Sequence, residues 1–154
     1  MNDILNIQYK SGTATAAEIE AHLKICDPDF VTSLSKKVDL SQYAVKIKTN
    51  AVTFEAWQKE QLVGLIAAYF NDEAKRTGYI TNVSTVKNYE GAGIGTQLMK
   101  NCIDHAIKNN YFEIVLEVNA ASTPAIKLYN KFGFVKTSEE NGSMRMKLNL
   151  KKAE

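Results

Sequence analysis

Three glycines within five residues separate a β-branched segment from an amphipathic one, and this junction constrains the fold more than any other feature. The segment YITNVSTV (79–86) has the composition of a strand, and apolar residues recur at helical spacing from Ile94 onward. Gly91, Gly93 and Gly95 lie between them. Glycine inside an element costs roughly 0.5–1 kcal/mol relative to alanine. The sequence therefore indicates that bare backbone is needed where a strand passes into a helix.

A strand-to-helix junction of this kind favours anion binding. The first N–H groups of a helix have no partner within the helix, and the helix dipole places partial positive charge at that end. Glycines let an anion approach these groups, so the loop predicts a phosphate site. The alternative is a tight turn that needs only a positive φ. The GxxxxGK[ST] motif is absent, and the loop follows a hairpin run, which disfavours nucleoside triphosphates and dinucleotides.

Composition limits the partners and the location. The 154 residues are 45% hydrophobic, which fits one domain over 1–154 with a proper core. The net charge of +2 is spread along the chain and predicts neither a nucleic-acid nor a membrane partner. Cys26 and Cys102 show no metal spacing, so we expect no metal and a cytoplasmic location. The N-terminus lacks a signal peptide's apolar region, and the longest apolar run is far below the roughly 20 residues of a membrane span.

Hydrophobic periodicity predicts the order β-α-α-β-β-β-α-β-α-β-β, an α/β fold with a mixed sheet and helices on both faces. Two hairpins make strands 2 to 4 antiparallel, and the helix after the glycines makes strands 4 and 5 parallel. The helical region 28–48 is expected in one or two pieces, with a break near Asp39. The predicted strands include 4–9, 51–57, 61–70, 79–86, 113–118 and 143–150, and the other helices include 13–25 and 122–132, the last with a Ser122 cap.

Two motifs resemble those of the GNAT superfamily of acetyl-CoA-dependent N-acetyltransferases. Residues 90–95, EGAGIG, are similar to the family's Arg/Gln-x-x-Gly-x-Gly/Ala phosphate motif. Residues 122–134, STPAIKLYNKFGF, are similar to its signature with Ala-Ile, Leu-Tyr and Gly-Phe. The resemblance implies the GNAT acyl-CoA N-acyltransferase fold, in which strands 4 and 5 splay apart. Two positions depart from the family: Glu90 replaces Arg or Gln, and Ser122 replaces Asn.

The resemblance also implies how acetyl-CoA is bound as co-substrate. Main-chain groups at the end of strand 4 would pair with the pantetheine arm, and amides of the glycine loop would hold the pyrophosphate. Glu90 adds no positive charge there, so affinity would depend more on main-chain amides and on Lys87. The implied cofactor-binding residues are Val83, Ser84, Thr85, Gly91, Ala92, Gly93, Ile94, Gly95, Thr96 and Ser122.

Acetyl transfer needs an acid for the departing sulfur, a polarised thioester carbonyl and a neutral amine. The resemblance implies that Tyr129 is the acid, although its helical spacing also fits a core tyrosine. A main-chain amide near Thr85 would polarise the carbonyl. Glu117, an acid within EIVLEV, is the candidate base, because similar ribosomal-protein N-acetyltransferases use Glu at the matching place. A solvent-facing or ion-paired Glu117, with a water chain carrying the proton, is the alternative.

The acceptor is the least determined part of the prediction. We expect a small amine or an amino-sugar, attacked directly in a ternary complex. The alternatives are a peptide or protein amine, or a module that binds acyl-CoA without turnover. The fold suggests a homodimer. His22 and His105 are expected to be exposed helix residues, and the residues that would line an acceptor groove, each also a core candidate, are Phe30, Tyr43, Phe54, Tyr69 and Asn71.

Overall fold

The predicted order of elements is confirmed in the computed structural model, which describes residues 6–30 and 33–150. Short 3₁₀ turns cover Asp27–Asp29, Leu34–Lys36 and Lys87–Tyr89. The main elements are β1 (Ile7–Ser11), α1 (Ala16–Cys26), α2 (Leu40–Asn50), β2 (Val52–Gln58), β3 (Gln61–Tyr69), β4 (Thr77–Thr85), α3 (Ile94–Lys108), β5 (Glu113–Asn119), α4 (Thr123–Lys131), β6 (Val135–Glu140) and β7 (Ser143–Asn149).

Seven strands form one sheet in the order β1-β2-β3-β4-β5-β7-β6. The pairing of β4 with β5 is parallel, and the other pairings are antiparallel. Both predicted hairpins are present, β2–β3 across Lys59–Glu60 and β3–β4 across 70–76. The helix after the glycines makes the parallel crossover, as its position in the sequence predicts.

Strands β4 and β5 separate along their length. They pair only over Thr77–Ile80 and Glu113–Leu116. Beyond that point β4 continues to pair with β3, and β5 with β7, but the two strands no longer pair with each other. A β-bulge marks the separation, because Ala68 faces Ile80 and Ala67 faces Asn82, which leaves Thr81 unopposed. Bulges bend a strand and increase its twist. We call Thr81–Thr85 the open segment of β4.

Apolar residues cover both faces of the sheet. On one face α3 and α4 pack against a large cluster that includes Ile66, Ile80 and Leu116. On the other face α1 and α2 pack against a smaller cluster that includes Leu65. A Cβ added at Gly64 would lie 2.6 Å from Cγ2 of Ile94, the first residue of α3. The glycine in β3 thus lets the start of α3 lie directly on the sheet.

A buried carboxylate fixes the segment between β1 and α1. Glu55 is fully buried and accepts hydrogen bonds from the Thr13 and Ala14 N–H groups, the Thr13 and Thr53 hydroxyls and the Trp57 indole. Burial alone would raise the pKa of Glu55, but these hydrogen bonds together lower it below its ordinary value. The ionised carboxylate is therefore the stable form in the folded protein.

Three details differ from the sequence prediction. Among the described residues of 28–48, the α-helix begins only at Leu40, since Asp39 caps α2 through Gln42 N–H, and Asp27 accepts hydrogen bonds from the main chain and hydroxyl of Ser35. Ser122 occupies the N-cap position of α4 but makes no side-chain cap hydrogen bond. The first strand is Ile7–Ser11 rather than 4–9, and residues 4 and 5 of that prediction lie outside the described residues.

No helix among the described residues is long and apolar enough to span a membrane.

Candidate active site

A cavity of about 590 Å³ opens where β4 and β5 separate. It is bounded by the end of β4, the glycine loop with the start of α3, the start of α4 and the end of α1. The structure brings together at this cavity every predicted cofactor-binding residue except Ala92, namely Val83, Ser84, Thr85, Gly91, Gly93, Ile94, Gly95, Thr96 and Ser122.

The glycine loop combines a conformational need with free amides. Gly91 and Gly93 have φ values of 82° and 81°, and a Cβ at either would meet nothing within 4 Å. Backbone conformation rather than space therefore requires these two glycines. Gly93 is the N-cap of α3, so the N–H groups of the first turn face the cavity end without intrahelical partners. The loop thus has the positive φ of the tight-turn interpretation, and it also carries the N–H groups that an anion site would use.

The charged residues around the loop differ from those the sequence suggested. Asp29 and Glu90 are both exposed at the cavity, and among the described residues its lining contains no Lys or Arg. Lys87 belongs to a 3₁₀ turn and is not among the lining residues. Instead Lys131, in the last turn of α4, places Nζ 3.4 Å from Oγ1 of Thr96. The position of Lys131 is not visible in the sequence, because only the packing of α4 beside α3 brings it to this loop.

Tyr129 lies behind the cavity wall. Its side chain is 5% exposed and packs against Phe134, with 5.7 Å between ring centroids. Ala125 and Leu128, on the same helix, line the cavity itself. Burial raises the pKa of Tyr129 above its ordinary value, so the phenol is protonated at neutral pH. The residue thus has the core position that its spacing indicates and the protonation state that an acid requires.

Glu117 lies on the surface rather than in the cavity. It is exposed, and its Oε1 is 3.6 Å from Nη1 of Arg145, which is its partner in the β5–β7 pairing. The ion-paired arrangement is therefore present. Tyr79 is near enough that the Glu117 charge adds to the effect of burial, and together they raise the pKa of Tyr79.

Of the five residues predicted for an acceptor groove, Phe30 is the one that lines the cavity. The Tyr43 hydroxyl donates to the carbonyl of Thr81 at 2.9 Å, which ties α2 to the bulge in β4. Phe54 is buried in the core, and Tyr69 lies under the ammonium of Lys46 at 5.7 Å. The Asn71 amide donates to the carbonyl of Asn50.

His22 is fully buried, so the expectation that it is exposed is wrong. Its Nδ1 lies 3.0 Å from the carbonyl oxygen of Leu62, and its Nε2 lies 2.8 Å from Oγ of Ser84. Burial lowers the pKa of His22 to about 4, so the ring is neutral at physiological pH. Its spacing from Ile19 and Cys26, three and four residues, matches the buried stripe of α1 and could have revealed it.

His105 is also not exposed. It is half-buried, with its ring centroid 5.6 Å from that of Phe54 and 4.9 Å from that of Phe70. Within residues 6–30 and 33–150, no group of three or more His, Cys, Asp or Glu side chains could hold a metal ion.

Comparison with known proteins identifies a matching family and several similar proteins. Residues 17–134 match the family model described as Acetyltransferase (GNAT) family. N-alpha-acetyltransferase 30 of Homo sapiens is 35% identical over 85 residues, which cover 54% of this chain and 24% of that protein. N-acetylaspartate synthetase of Danio rerio is 29% identical over 118 residues, covering 68% of this chain and 42% of that protein. The chain spans less than half the length of the curated relatives it matches.

Solved structures share the fold. The ribosomal-protein-S18-alanine N-acetyltransferase from Escherichia coli superposes with a TM-score of 0.75 at 18% identity, covering 96% of both chains. The yncA acetyltransferase from Salmonella typhimurium, solved with acetyl-CoA, gives 0.74 at 16% identity, covering 96% of this chain and 95% of that one. The mixed sheet with separated β4 and β5 is thus the fold that the two motifs implied. The chain belongs to the acetyltransferase (GNAT) family.

Proposed function

We propose that the chain transfers an acetyl group from acetyl-CoA to the α-amino group of an acceptor, with a peptide N-terminus as the favoured acceptor. The observation that carries this proposal is the cavity, where a glycine loop at a helix N-terminus meets a strand edge without a partner. An anion site and a free strand edge are the two features that a phosphorylated, amide-containing arm requires.

The residues present fit acetyl-CoA, which supplies the activated acetyl group when it is bound. Main-chain amides from Gly91 to Thr96 would hold the pyrophosphate, with Lys131 as the neighbouring cation. The open segment of β4 offers main-chain groups for the amides of the pantetheine arm. Ser122 is positioned at the same cavity from the start of α4.

Tyr129 serves as the general acid. The acceptor nitrogen forms the new C–N bond while the C–S bond of the thioester breaks. The acceptor amine gives up one proton, and the departing sulfur takes one from the Tyr129 hydroxyl. Burial raises the pKa of Tyr129, which keeps the phenol protonated at neutral pH but makes it a weaker acid, so the transfer would be driven by the negative charge that develops on the sulfur.

We prefer an α-amine as acceptor because its nitrogen loses its extra proton more easily than a lysine amine does. An α-amine titrates near 7.7–8.0 and a lysine amine near 10.4, so far more of the α-amine is neutral at physiological pH. Glu117 is exposed, ion-paired with Arg145 and not among the residues that line the cavity, so it would take the proton of such an amine through water. The name N-alpha-acetyltransferase describes an α-amine acceptor in that relative.

A small amine is the second candidate acceptor. The N-acetylaspartate synthetase of Danio rerio, whose match covers 68% of this chain, supports an amino acid as acceptor. An amino-sugar stays a prediction from the sequence, as do the homodimer and the cytoplasmic location. A module that binds acyl-CoA without turnover is the remaining alternative.

Release of free CoA thiol, read with a thiol reagent, tests the proposal across matched acceptors. The panel contains a peptide with a free N-terminus, the same peptide N-acetylated but carrying a lysine, free aspartate and glucosamine. We expect release with the free N-terminus and none with the N-acetylated peptide. Release only with aspartate or glucosamine would assign a small amine. No release with any acceptor, despite acetyl-CoA binding, would replace the enzyme with a binding module.

A further inference from the structure

A buried polar network joins α1 to the open segment of β4. His22, Ser84 and Asn82 are 1%, 5% and 8% exposed. The Ser84 hydroxyl lies 2.8 Å from Nε2 of His22 and 2.8 Å from Oδ1 of Asn82. Buried polar groups are costly unless they are hydrogen-bonded, so these contacts hold each other in place.

When the His22 ring is neutral, its two contacts allow only one position for the ring proton. The carbonyl of Leu62 only accepts, so the proton of the His22 ring must be on Nδ1. Nε2 is then an acceptor and competes with Oδ1 of Asn82 for the single Ser84 hydroxyl proton. The direction of the Ser84 O–H therefore depends on His22.

The network lies beside the cavity, at the open segment of β4. Ser84 and Cys26 both line the cavity, and Cys26 Sγ lies 3.6 Å from Nε2 of His22. The open segment of β4 is paired with β3 but not with β5, so one edge of the strand has no strand partner within residues 6–30 and 33–150. His22 contacts both β3, through Leu62, and β4, through Ser84.

We propose that His22 is a positioning residue, which acts through Ser84 to hold the open segment of β4 in the conformation that binds the pantetheine arm. The inference rests on the proposed function, because it assigns that arm to this edge. His22 touches neither the cofactor nor the acceptor in this account. Its effect on acetyl-CoA passes through the Ser84 hydroxyl.

A double-mutant cycle tests this inference by calorimetric measurement of the acetyl-CoA Kd. We expect His22→Leu and Ser84→Ala each to raise Kd about 10-fold. Because both break the same path, the double variant should also show about 10-fold rather than the roughly 100-fold of independent sites. His22→Gln, which keeps one donor and one acceptor, should recover most of the affinity.

Thr53→Val is the matched control, since it removes a buried hydroxyl bonded to Glu55 on the same face of the sheet but outside the cavity lining. It should lower stability and leave Kd within about twofold. Additive effects in the cycle, or an unchanged Kd in folded His22→Leu and His22→Gln, would overturn the inference. The Kd requires no acceptor, so a wild type that binds acetyl-CoA without releasing thiol would contradict only the proposed function.

Discussion

The two ends of the candidate active site are built from different parts of the chain. At the phosphate end, the loop Gly91–Thr96 offers main-chain amides, and its shape comes from glycines with positive φ. At the proposed catalytic end, Tyr129 and Glu117 would act through side chains, one buried and one exposed in an ion pair. Backbone groups bind whatever the neighbouring side chains are, whereas an acid or base depends on its surroundings.

This difference predicts a division of kinetic effects. Substitutions at the phosphate end should change the affinity for acetyl-CoA and leave kcat at saturation nearly unchanged. Substitutions at the catalytic end should lower kcat and leave affinity nearly unchanged, because they remove interactions made only in the transition state.

The largest effect is expected for Tyr129→Phe. Loss of the proton donor should lower kcat about 100-fold or more, the usual range for a general acid, while the acetyl-CoA Kd stays within about threefold. Steady-state thiol release and calorimetry measure the two quantities. Tyr111→Phe is the control, since Tyr111 is another buried tyrosine whose hydroxyl donates to the Phe70 carbonyl outside the cavity lining. A Tyr129→Phe enzyme with wild-type kcat would remove Tyr129 from the mechanism.

Glu117→Gln should lower kcat/KM for the acceptor about 10-fold, less than the roughly 100-fold or more of a typical general base, because a neutral α-amine needs little help. The control is Glu113→Gln in the same strand, where the carboxylate is 3.7 Å from Lys147 Nζ and accepts from the Thr77 hydroxyl. The control should keep kcat/KM within about twofold. Equal rates for wild type and Glu117→Gln would instead assign the proton to a water chain.

Gly93→Ala tests the phosphate end by straining the backbone of the glycine loop. An L-residue at φ 81° is strained by about 1–2 kcal/mol, and we expect the loop to relax and weaken acetyl-CoA binding about 10-fold. Gly12→Ala is the control, because Gly12 has a φ of 72° with open space around its Cβ position but is outside the cavity lining. It should lose similar stability in thermal unfolding and keep its Kd. A Kd unchanged in Gly93→Ala would show that the loop does not bind the cofactor.

The smallest effect is expected for Lys131→Ala. Its ammonium is exposed near Thr96, so its loss should raise the acetyl-CoA Kd about threefold at low salt and less at high salt, where exposed charges are screened. Lys127→Ala, on an exposed part of the same helix, controls for the change in net charge. Equal Kd values for the two variants at low salt would contradict a specific role for Lys131.

The sequence predicted the backbone of the glycine loop far better than the side chains around the candidate site. The need for glycine at a strand-to-helix junction depends on local backbone conformation. The position of the loop beside Val83–Thr85 therefore followed once the element order was known. Lys131 and His22 were missed because their roles depend on contacts with residues 35 and 62 positions away. Glu117 was identified, but its pairing with Arg145 required the β5–β7 register.

Side-chain hydrogen bonds also explain why α2 begins at Leu40, later than the sequence predicted. Asp39 was predicted as a break and is the cap of α2, but the polar side chain of Asp27 binds Ser35 and forms a turn where helical continuation was expected. Competition of this kind between side-chain and main-chain hydrogen bonds is not visible in hydrophobic periodicity.

Thermal unfolding of the wild-type protein with acetyl-CoA, CoA or NAD tests the central claim most directly, since it requires no acceptor. A ligand at 100 times its Kd stabilises the folded state by about 2.7 kcal/mol, which corresponds to a Tm increase of about 5–10 °C at this size. If the glycine loop binds acetyl-CoA, we expect such a Tm increase with acetyl-CoA and CoA and none with NAD. No increase with either CoA species, or an equal one with NAD, would contradict an acetyl-CoA site at the glycine loop.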